Sequence, residues 1–320
     1  MENSESKNRL KFFPIMMYAI VMGLGGLTIT YQKAAAWLGF PHMIGSILMY
    51  VTTAIFIFVS SMYITKAIKY KTAVQNEFAH PVRVNFFAAV SISMLMLSII
   101  YKESMPQISA VFWYPGAALH FYLTMHTISF WINKNQQLDH SNPAWFIPIV
   151  GNVLVPVGGI GFANLGILIY FFSVGMFFWI ILFAVILNRI IFHHQMAVKF
   201  MPTLFILIAP PAVSFIAYFK MFGAIDNMAI MLFNMALFFT FLVTFMYKNF
   251  IKIKFFISWW AFVFPVAAMA ISSMLMYKHT HDSTLLVLSY IMIAAVTVIS
   301  SIVAYQTLVH IKKKEICVQE

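Results

Sequence analysis

Cysteine is almost absent from this chain and carboxylates are scarce. Of 320 residues, one is cysteine and nine are Asp or Glu. The single thiol, Cys317, excludes an intrachain disulfide. The carboxylates, Glu2, Glu5, Glu77, Glu103, Asp139, Asp226, Asp282, Glu315 and Glu320, all fall in tails, connections or the ends of apolar runs, and no Lys or Arg lies in the middle of one. Ion-coupled carriers and proton pumps usually hold an ionisable group at the membrane midplane. Its absence argues against a carboxylate relay and favours passive conduction along backbone, Ser, Thr and Asn. Also missing are H-E-x-x-H, G-x-S-x-G and a glycine-rich phosphate loop, so no enzyme constellation and no cofactor site is read. His193–His194 and His279-x-His281 have no clustered cysteine or carboxylate beyond Asp282, which is too little for a metal site.

What the chain has in abundance is apolar surface. Hydrophobic residues make up 62%, charged residues 9%, and the mean hydropathy is +0.88. Repeated long apolar runs of this kind specify an all-α integral membrane protein. Ten spans are expected within one transmembrane domain covering residues 1–320: roughly 12–31, 43–65, 84–101, 106–131, 143–162, 165–188, 202–219, 227–247, 255–276 and 284–309. The first run is read as a retained helix, since no A-x-A-like cleavage site follows it.

An even number of spans puts both termini on one side. On that side fall sixteen of the 20 Lys and Arg residues, and only Lys33, Lys102, Lys220 and Lys278 fall on the other. The positive-inside rule then makes both termini of this multi-pass chain cytoplasmic. The net charge of +11 is accounted for by this topology and by contact with the lipid bilayer, without any nucleic-acid partner.

Helix breakers are unevenly placed. Gly23, Gly25 and Gly26 lie in the first span, Pro148, Gly151, Pro156 and Gly158 in the fifth, Pro210 and Pro211 in the seventh, and Pro265 in the ninth. Spans eight and ten have neither Gly nor Pro, and the third is an odd-numbered span without a breaker. The alternation suggests a hairpin repeated five times, one broken inner helix and one straighter outer helix each. The ninth span centres on Ser258–Met274, where Pro265 is expected to kink the helix and free the carbonyl of Ala261. Phe264 shares a face there with Ala261, Ala267, Ala268 and Ile271, as a plug in a narrow pore or a packed ring at a helix crossing. Freed N–H groups suit anions and freed carbonyls suit cations, so these residues leave the sign of the ion open. His126 and Asn234 read as interhelical hydrogen-bonding groups, His120 as another such group or as a proton shuttle or pH sensor, and Asn152, between Pro148 and Pro156, has the better claim to a pore.

Four motifs carry a resemblance: His80-Pro81-Val82-Arg83 entering the third span, Asn142-Pro143-Ala144-Trp145-Phe146-Ile147-Pro148 entering the fifth, Ala209-Pro210-Pro211-Ala212 in the seventh, and Trp259-Trp260-Ala261-Phe262-Val263-Phe264-Pro265 in the ninth. In this order the chain resembles the tellurite-resistance/C4-dicarboxylate transporter family, TehA-like proteins that include the plant slow-type guard-cell anion channels. The resemblance implies ten helices in five hairpins around a central pore, odd helices inner and even helices outer, in a homotrimer of independent pores. It also implies a phenylalanine gate, which the motif places at Phe264, with Phe262 as the fallback. The expected pore-lining residues are Gly23, Gly26, Asn152, Pro156, Pro210, Ala261, Pro265 and Ala268. The expected activity is an anion channel or uniporter for small inorganic anions such as chloride or nitrate. The alternatives are a proton-coupled carrier or exporter of C4-dicarboxylates or oxyanions such as sulfite or tellurite, and a membrane-embedded enzyme or sensor that transports nothing.

Overall fold

The protein is described by a computed structural model over residues 6–194 and 196–318; Glu2, Glu5 and Glu320 lie outside the described residues. The α-helices are α1 (Tyr18–Leu38), α2 (His42–Lys69), α3 (Lys71–Phe78), α4 (Ala88–Tyr101), α5 (Pro106–Asn133), α6 (Ile147–Gly159), α7 (Leu165–Phe192), α8 (Ala209–Phe222), α9 (Asn227–Phe245), α10 (Val263–Thr280) and α11 (Ser283–Lys312). Among the described residues there is no strand, only one isolated bridge between Ile160 and Ala163.

Among the described residues, eight helical segments are long and apolar enough to cross a membrane. The segment Pro143–Gly159, which contains α6, is apolar but shorter. Helix α5 is as long as α7, but Gln107, Pro115, His120 and His126 dilute its apolar character. The helices overrun the apolar stretches that announce them, α1 continuing through Gln32 and Lys33 to Leu38 and α11 reaching Lys312. Apolar sequence marks the width of the hydrocarbon, whereas backbone hydrogen bonding carries a helix on into the interface.

Burial sorts the helices into two classes. In the segments Ile15–Leu38, Arg83–Tyr101, Val198–Phe222 and Ile257–Thr280 between 67% and 83% of the apolar window is buried. In His42–Lys69, Leu165–Phe192, Asn227–Phe245 and Ser283–Lys312 the share is 22% to 39%. All of α6 is buried. The buried helices touch in the cyclic order α10, α1, α4, α6, α8 and back to α10. Each also packs against the helix that follows it: α1 on α2, α4 on α5, α6 on α7, α8 on α9 and α10 on α11. The followers turn rows of large apolar side chains outward, such as Ile57 and Phe58, Phe177 and Ile180, Phe238 and Phe241.

The five buried helices share a local device that the others lack. Each is entered through a 3-10 segment: Ile15–Met17, Arg83–Phe87, Pro143–Phe146, Val198–Ile208 and Ile257–Phe262. Prolines sit at these entries, Pro14 just before the first, Pro143 opening the third, Pro210 and Pro211 opening α8, and Pro265 in the first turn of α10. A first-turn proline costs no hydrogen bond, because its missing N–H would have had no partner there. The expected mid-helix kink at Pro265 is therefore corrected to a 3-10-to-α transition at Phe262–Val263. The buried segment without an internal breaker, Arg83–Tyr101, follows the same rule, its proline being Pro81 upstream. At the opposite end the followers α7, α9 and α11 start on side-chain caps, Asn164, Asp226 and Asp282 accepting from Ile167, Ala229 and Thr284. The turns that leave α1 and α8 use Gly39 (φ 75°) and Gly223 (φ 71°) in the left-handed region.

The first and last described segments meet at one end of the bundle, where the Arg9 guanidinium donates to the Lys314 carbonyl. The sequence treats the stretch after α2 as a charged loop, but it holds α3 and a buried ion pair. Glu77 accepts from Lys66 Nζ at 2.7 Å, from the Tyr63 hydroxyl at 2.9 Å and from the Ile15 N–H at 2.9 Å, while Lys66 also donates to the Phe13 carbonyl at 2.7 Å. Both side chains are under 5% exposed. The pair thus fixes the 3-10 entry of α1 against α2 and α3. Glu77→Ala strands a buried ammonium and is expected to cost about 3–5 kcal/mol, whereas replacing Lys66 and Glu77 together by Met recovers most of it. Denaturation of purified protein in detergent checks both.

Candidate functional site

Accessible surface inside the ring follows a helical spacing. Along α10 and its entry, every residue from Trp260 to Met276 is buried except Ala261 and Phe264. Neither faces the outside of the bundle; both face an internal cavity. At the terminal end that cavity, about 60 Å³, is lined from all five buried segments, by Met16 and Met22, Ala89, Val150 and Gly151, Ala209, and Ala261 with Phe264 and Pro265. Its polar side chains are Thr203 and Ser258. Toward the opposite end a second cavity, about 130 Å³, is lined by Gly26, Met96, Val157, Ile216, Phe264 and Ala268 among others, and its far rim carries Lys33, Lys220 and Lys278. These are narrow spaces, with room for a few water molecules.

Three side chains line both cavities: Leu154 of α6, Val213 of α8 and Phe264 of α10. They form an apolar septum across the ring, and the phenyl ring is its largest member. How Phe264 comes to the middle is a matter of backbone approach. A Cβ on Gly26 would stand 2.9 Å from Ala267 Cβ and 3.5 Å from Phe264 Cα; one on Gly23 would stand 2.6 Å from the Trp260 ring. Only glycine at these two positions lets α1 and α10 cross this closely.

The other sequence-predicted residues divide. Gly26, Ala261, Pro265 and Ala268 line one cavity each. Gly23 packs at the α1–α10 crossing and lines neither. Asn152 is 1% exposed, and its amide donates to Thr124 Oγ1 on α5 at 2.9 Å and to the Ile149 carbonyl at 2.9 Å, so it ties α6 to α5 and faces away from the cavities. Pro156 and Pro210 line neither cavity. Phe262 packs edge-on against Phe205 and Phe250, with centroids at 4.7 and 5.9 Å. His120 is buried behind Gly151, with Nδ1 2.8 Å from Ser91 Oγ; an added Cβ at Gly151 would fall 2.2 Å from its ring.

The lysines on the far rim are the feature that residue-by-residue reading passes over. Lys33, Lys220 and Lys278 come from the far ends of α1, α8 and α10, and Lys102 directly follows α4. Lys102 donates to the Gly158 and Ile160 carbonyls and Lys220 to the Val157 carbonyl at 3.0 Å, which ties both to the C-terminal end of α6. Lys33 is paired with Glu103. That hydrogen bond, with the charges of Lys33, Lys220 and Lys278, holds the Glu103 carboxyl below the ordinary glutamate range. The signal was present in sequence: these are the four basic residues that the charge count leaves on the far side.

At the terminal end a wide vestibule of about 1040 Å³ opens beneath the first cavity, with Lys11, Arg83, Lys254 and Lys313 on its wall and Met16 and Ile257 shared with the cavity above. The whole arrangement is an axial path, charged at both mouths and apolar in the middle, blocked at one level. If Asn152 is an anchor between helices, Asn152→Ala lowers stability by ~1–3 kcal/mol through its unpaired partners and leaves permeability where it was. Parallel denaturation and liposome flux measurements separate the two effects.

Known proteins resemble this chain along most of its length. A family model described as SLAC1, voltage-dependent anion channel, matches residues 12–308. The chain is 28% identical over 309 residues to the S-type anion channel SLAH2 of Arabidopsis thaliana, covering 93% of this chain and 59% of that protein. It is 28% identical over 295 residues to an uncharacterized transporter of Methanocaldococcus jannaschii, covering 84% of this chain and 86% of that one. Over 277 residues it is 26% identical to the tellurite resistance protein TehA homolog of Haemophilus influenzae, with 84% of each covered.

Proposed function

The chain belongs to the SLAC1 family of voltage-dependent anion channels, and we propose that it is itself a channel or uniporter that passes small anions such as chloride or nitrate through the ring of buried helices, with Phe264 as the gate. The observation that carries this reading is the septum: Phe264, with Leu154 and Val213, separates a cavity open toward the terminal vestibule from one rimmed by lysines. A phenyl ring there excludes water, and an ion without water or dipoles faces a cost of tens of kcal/mol by idealised estimates. Moving or removing one ring lowers that barrier more than any other single change on the path.

Passive conduction is favoured over proton coupling by the distribution of charge. Ionisable side chains on the walls of the two cavities are Lys33, Lys220, Lys278 and His279, all at the far rim, and the septum itself is apolar. A coupled carrier of dicarboxylates or oxyanions needs a titrating group where substrate is exchanged.

The architecture that goes with this reading is ten membrane-crossing helices as five hairpins, the two further crossings being α5 and the Pro143–Gly159 segment. The buried helices line the pore and their followers face lipid. The lysine-rich terminal end is placed in the cytoplasm of a plasma (bacterial inner) membrane by the positive-inside rule. The outward apolar rows suit lipid and the contacts of a homotrimer in which every copy has its own pore.

Phe264→Ala is expected to raise anion current by an order of magnitude or more, while Phe262→Ala costs stability, ~3–5 kcal/mol as for a packed phenylalanine, and opens nothing. Planar-bilayer currents under a chloride gradient test this, with the assembly of both variants checked in detergent. Absence of current in folded Phe264→Ala protein returns Phe264 to a packing role.

A further inference from the structure

The five buried helices run the same way, and their C-terminal ends gather at the far mouth. Helix C-termini carry partial negative charge, so this mouth would repel anions were it not for its lysines. Neutralising those ends accounts for two of them: Lys102 and Lys220 donate to the carbonyls that finish α6. Neither Lys33 nor Lys278 donates to such a carbonyl, although Lys278 lies in the last turn of α10 and complements that end through its charge. Their ammonium groups stand 5.3 and 5.2 Å from the centroid of the same indole, Trp37. Among the described residues Lys278 makes no hydrogen bond, and Lys33 makes one, to Glu103. An ammonium offers three donors, so most of theirs, and two of the three on Lys220, are left for solvent or a ligand. Lys220 is also within electrostatic reach of Lys33, Lys102 and the Glu103 carboxylate, so the cluster sets one carboxylate against several ammonium groups. The other carboxylates flanking these helices, Asp226 and Asp282, are engaged as the caps of α9 and α11. Glu103 alone lies among the lysines, and its side chain is 70% exposed, so it sits at the opening and leaves the depth of the cavity to others.

We propose that Lys33, Lys220 and Lys278, arranged around Trp37, form an anion-binding subsite at the far mouth for oxygen-bearing anions, carboxylates and small oxyanions, and that Glu103 is a resident carboxylate which an incoming anion displaces from Lys33. Glu103 shows that a carboxylate fits the cluster. The ring of Trp37 keeps the two flanking ammonium groups apart and gives them a negative face to rest on when no anion is bound. An anion in this subsite sits directly outside the cavity that Phe264 closes, so it loads the path and, when it binds tightly, obstructs it. The proposal rests on the channel reading for its consequence in transport, but binding itself does not depend on conduction.

The test uses the full chain, with sulfate and succinate as probes and chloride at equal ionic strength as reference. In thermal unfolding of the purified wild type, both probes raise the midpoint more than chloride does. Lys278→Gln and Lys33→Gln abolish that difference. Glu103→Gln enlarges it, a change of opposite sign that a misfolded variant does not produce. In bilayers holding Phe264→Ala, either probe on the lysine side reduces chloride current, and adding Lys278→Gln raises the half-blocking concentration about tenfold. Probe effects unchanged in Lys33→Gln, Lys278→Gln and Glu103→Gln overturn the subsite, and they do so even where chloride current is present and the channel reading stands. Probe-dependent stabilisation that follows the three variants as described, with no chloride current in any folded protein, upholds the subsite and overturns the channel reading.

Discussion

The close crossing of α1 and α10 is the contact on which the path through this molecule depends. Two glycines, Gly23 and Gly26, lie against Trp260, Phe264 and Ala267 at distances that leave no room for a Cβ. In a bilayer no hydrophobic force drives helix against helix, because lipid tails are as apolar as leucine, so backbones must approach closely for packing to stabilise anything. Here the approach does two things together. It closes the ring at its α10–α1 seam, and it aims the phenyl ring of Phe264 at the axis, opposite Leu154 and Val213. A methyl group on either glycine would push α10 outward and take Phe264 with it.

A second constraint shapes the entries. Backbone groups at membrane depth must find partners within the protein. All five buried helices open with a tighter 3-10 segment, and four of those openings have a proline next to or inside the first turns. Polar side chains take up what this irregularity leaves: Asn142 accepts from the Ala144 N–H, Ser258 donates to the Lys199 carbonyl, and Glu77 receives the Ile15 N–H. The buried Lys66–Glu77 pair belongs to this same accounting. It is a fastening for the start of α1 at the terminal mouth, and its charges cancel where the pore begins.

Much of the fold is legible in the chain because its physics is one-dimensional. Apolar runs give the helices, and glycine and proline separate the buried helices from their straighter followers. The buried segment Arg83–Tyr101 escapes that rule only because its proline, Pro81, precedes it. Phe264 is legible through its motif and through the small residues on its face. Asn152, Pro156, Pro210 and Gly23 are where the inference thins. A polar or helix-breaking residue is needed equally at a pore wall and at a helix crossing, and sequence does not say which of two buried faces it occupies. Asn152 turned to Thr124, and Gly23 to Trp260. Glu77 hid for a different reason, since a charged residue between spans looks solvated until its partners, Tyr63 and Lys66 on α2 and Ile15 at the entry of α1, are brought together. A topology rule treats the far lysines as exceptions, whereas three dimensions make them a cluster.

The distribution of charge along the axis bears on what kind of selectivity this architecture supports. Fixed positive charge stands at both mouths, and the apolar septum between the two cavities has none. Mouth charges raise the local concentration of anions and lower that of cations, which sets the sign of the permeant ion. They do little to distinguish one anion from another at the septum, where an ion has shed part of its water and finds only apolar side chains and backbone dipoles. The ranking among small anions then follows the cost of dehydration, with weakly hydrated ions favoured, and a ring that swings aside changes the height of the barrier without changing that order. Gate and filter are therefore separable in this fold. In the proposed reading Phe264 sets whether the path conducts, and the lysines set what gathers at its door.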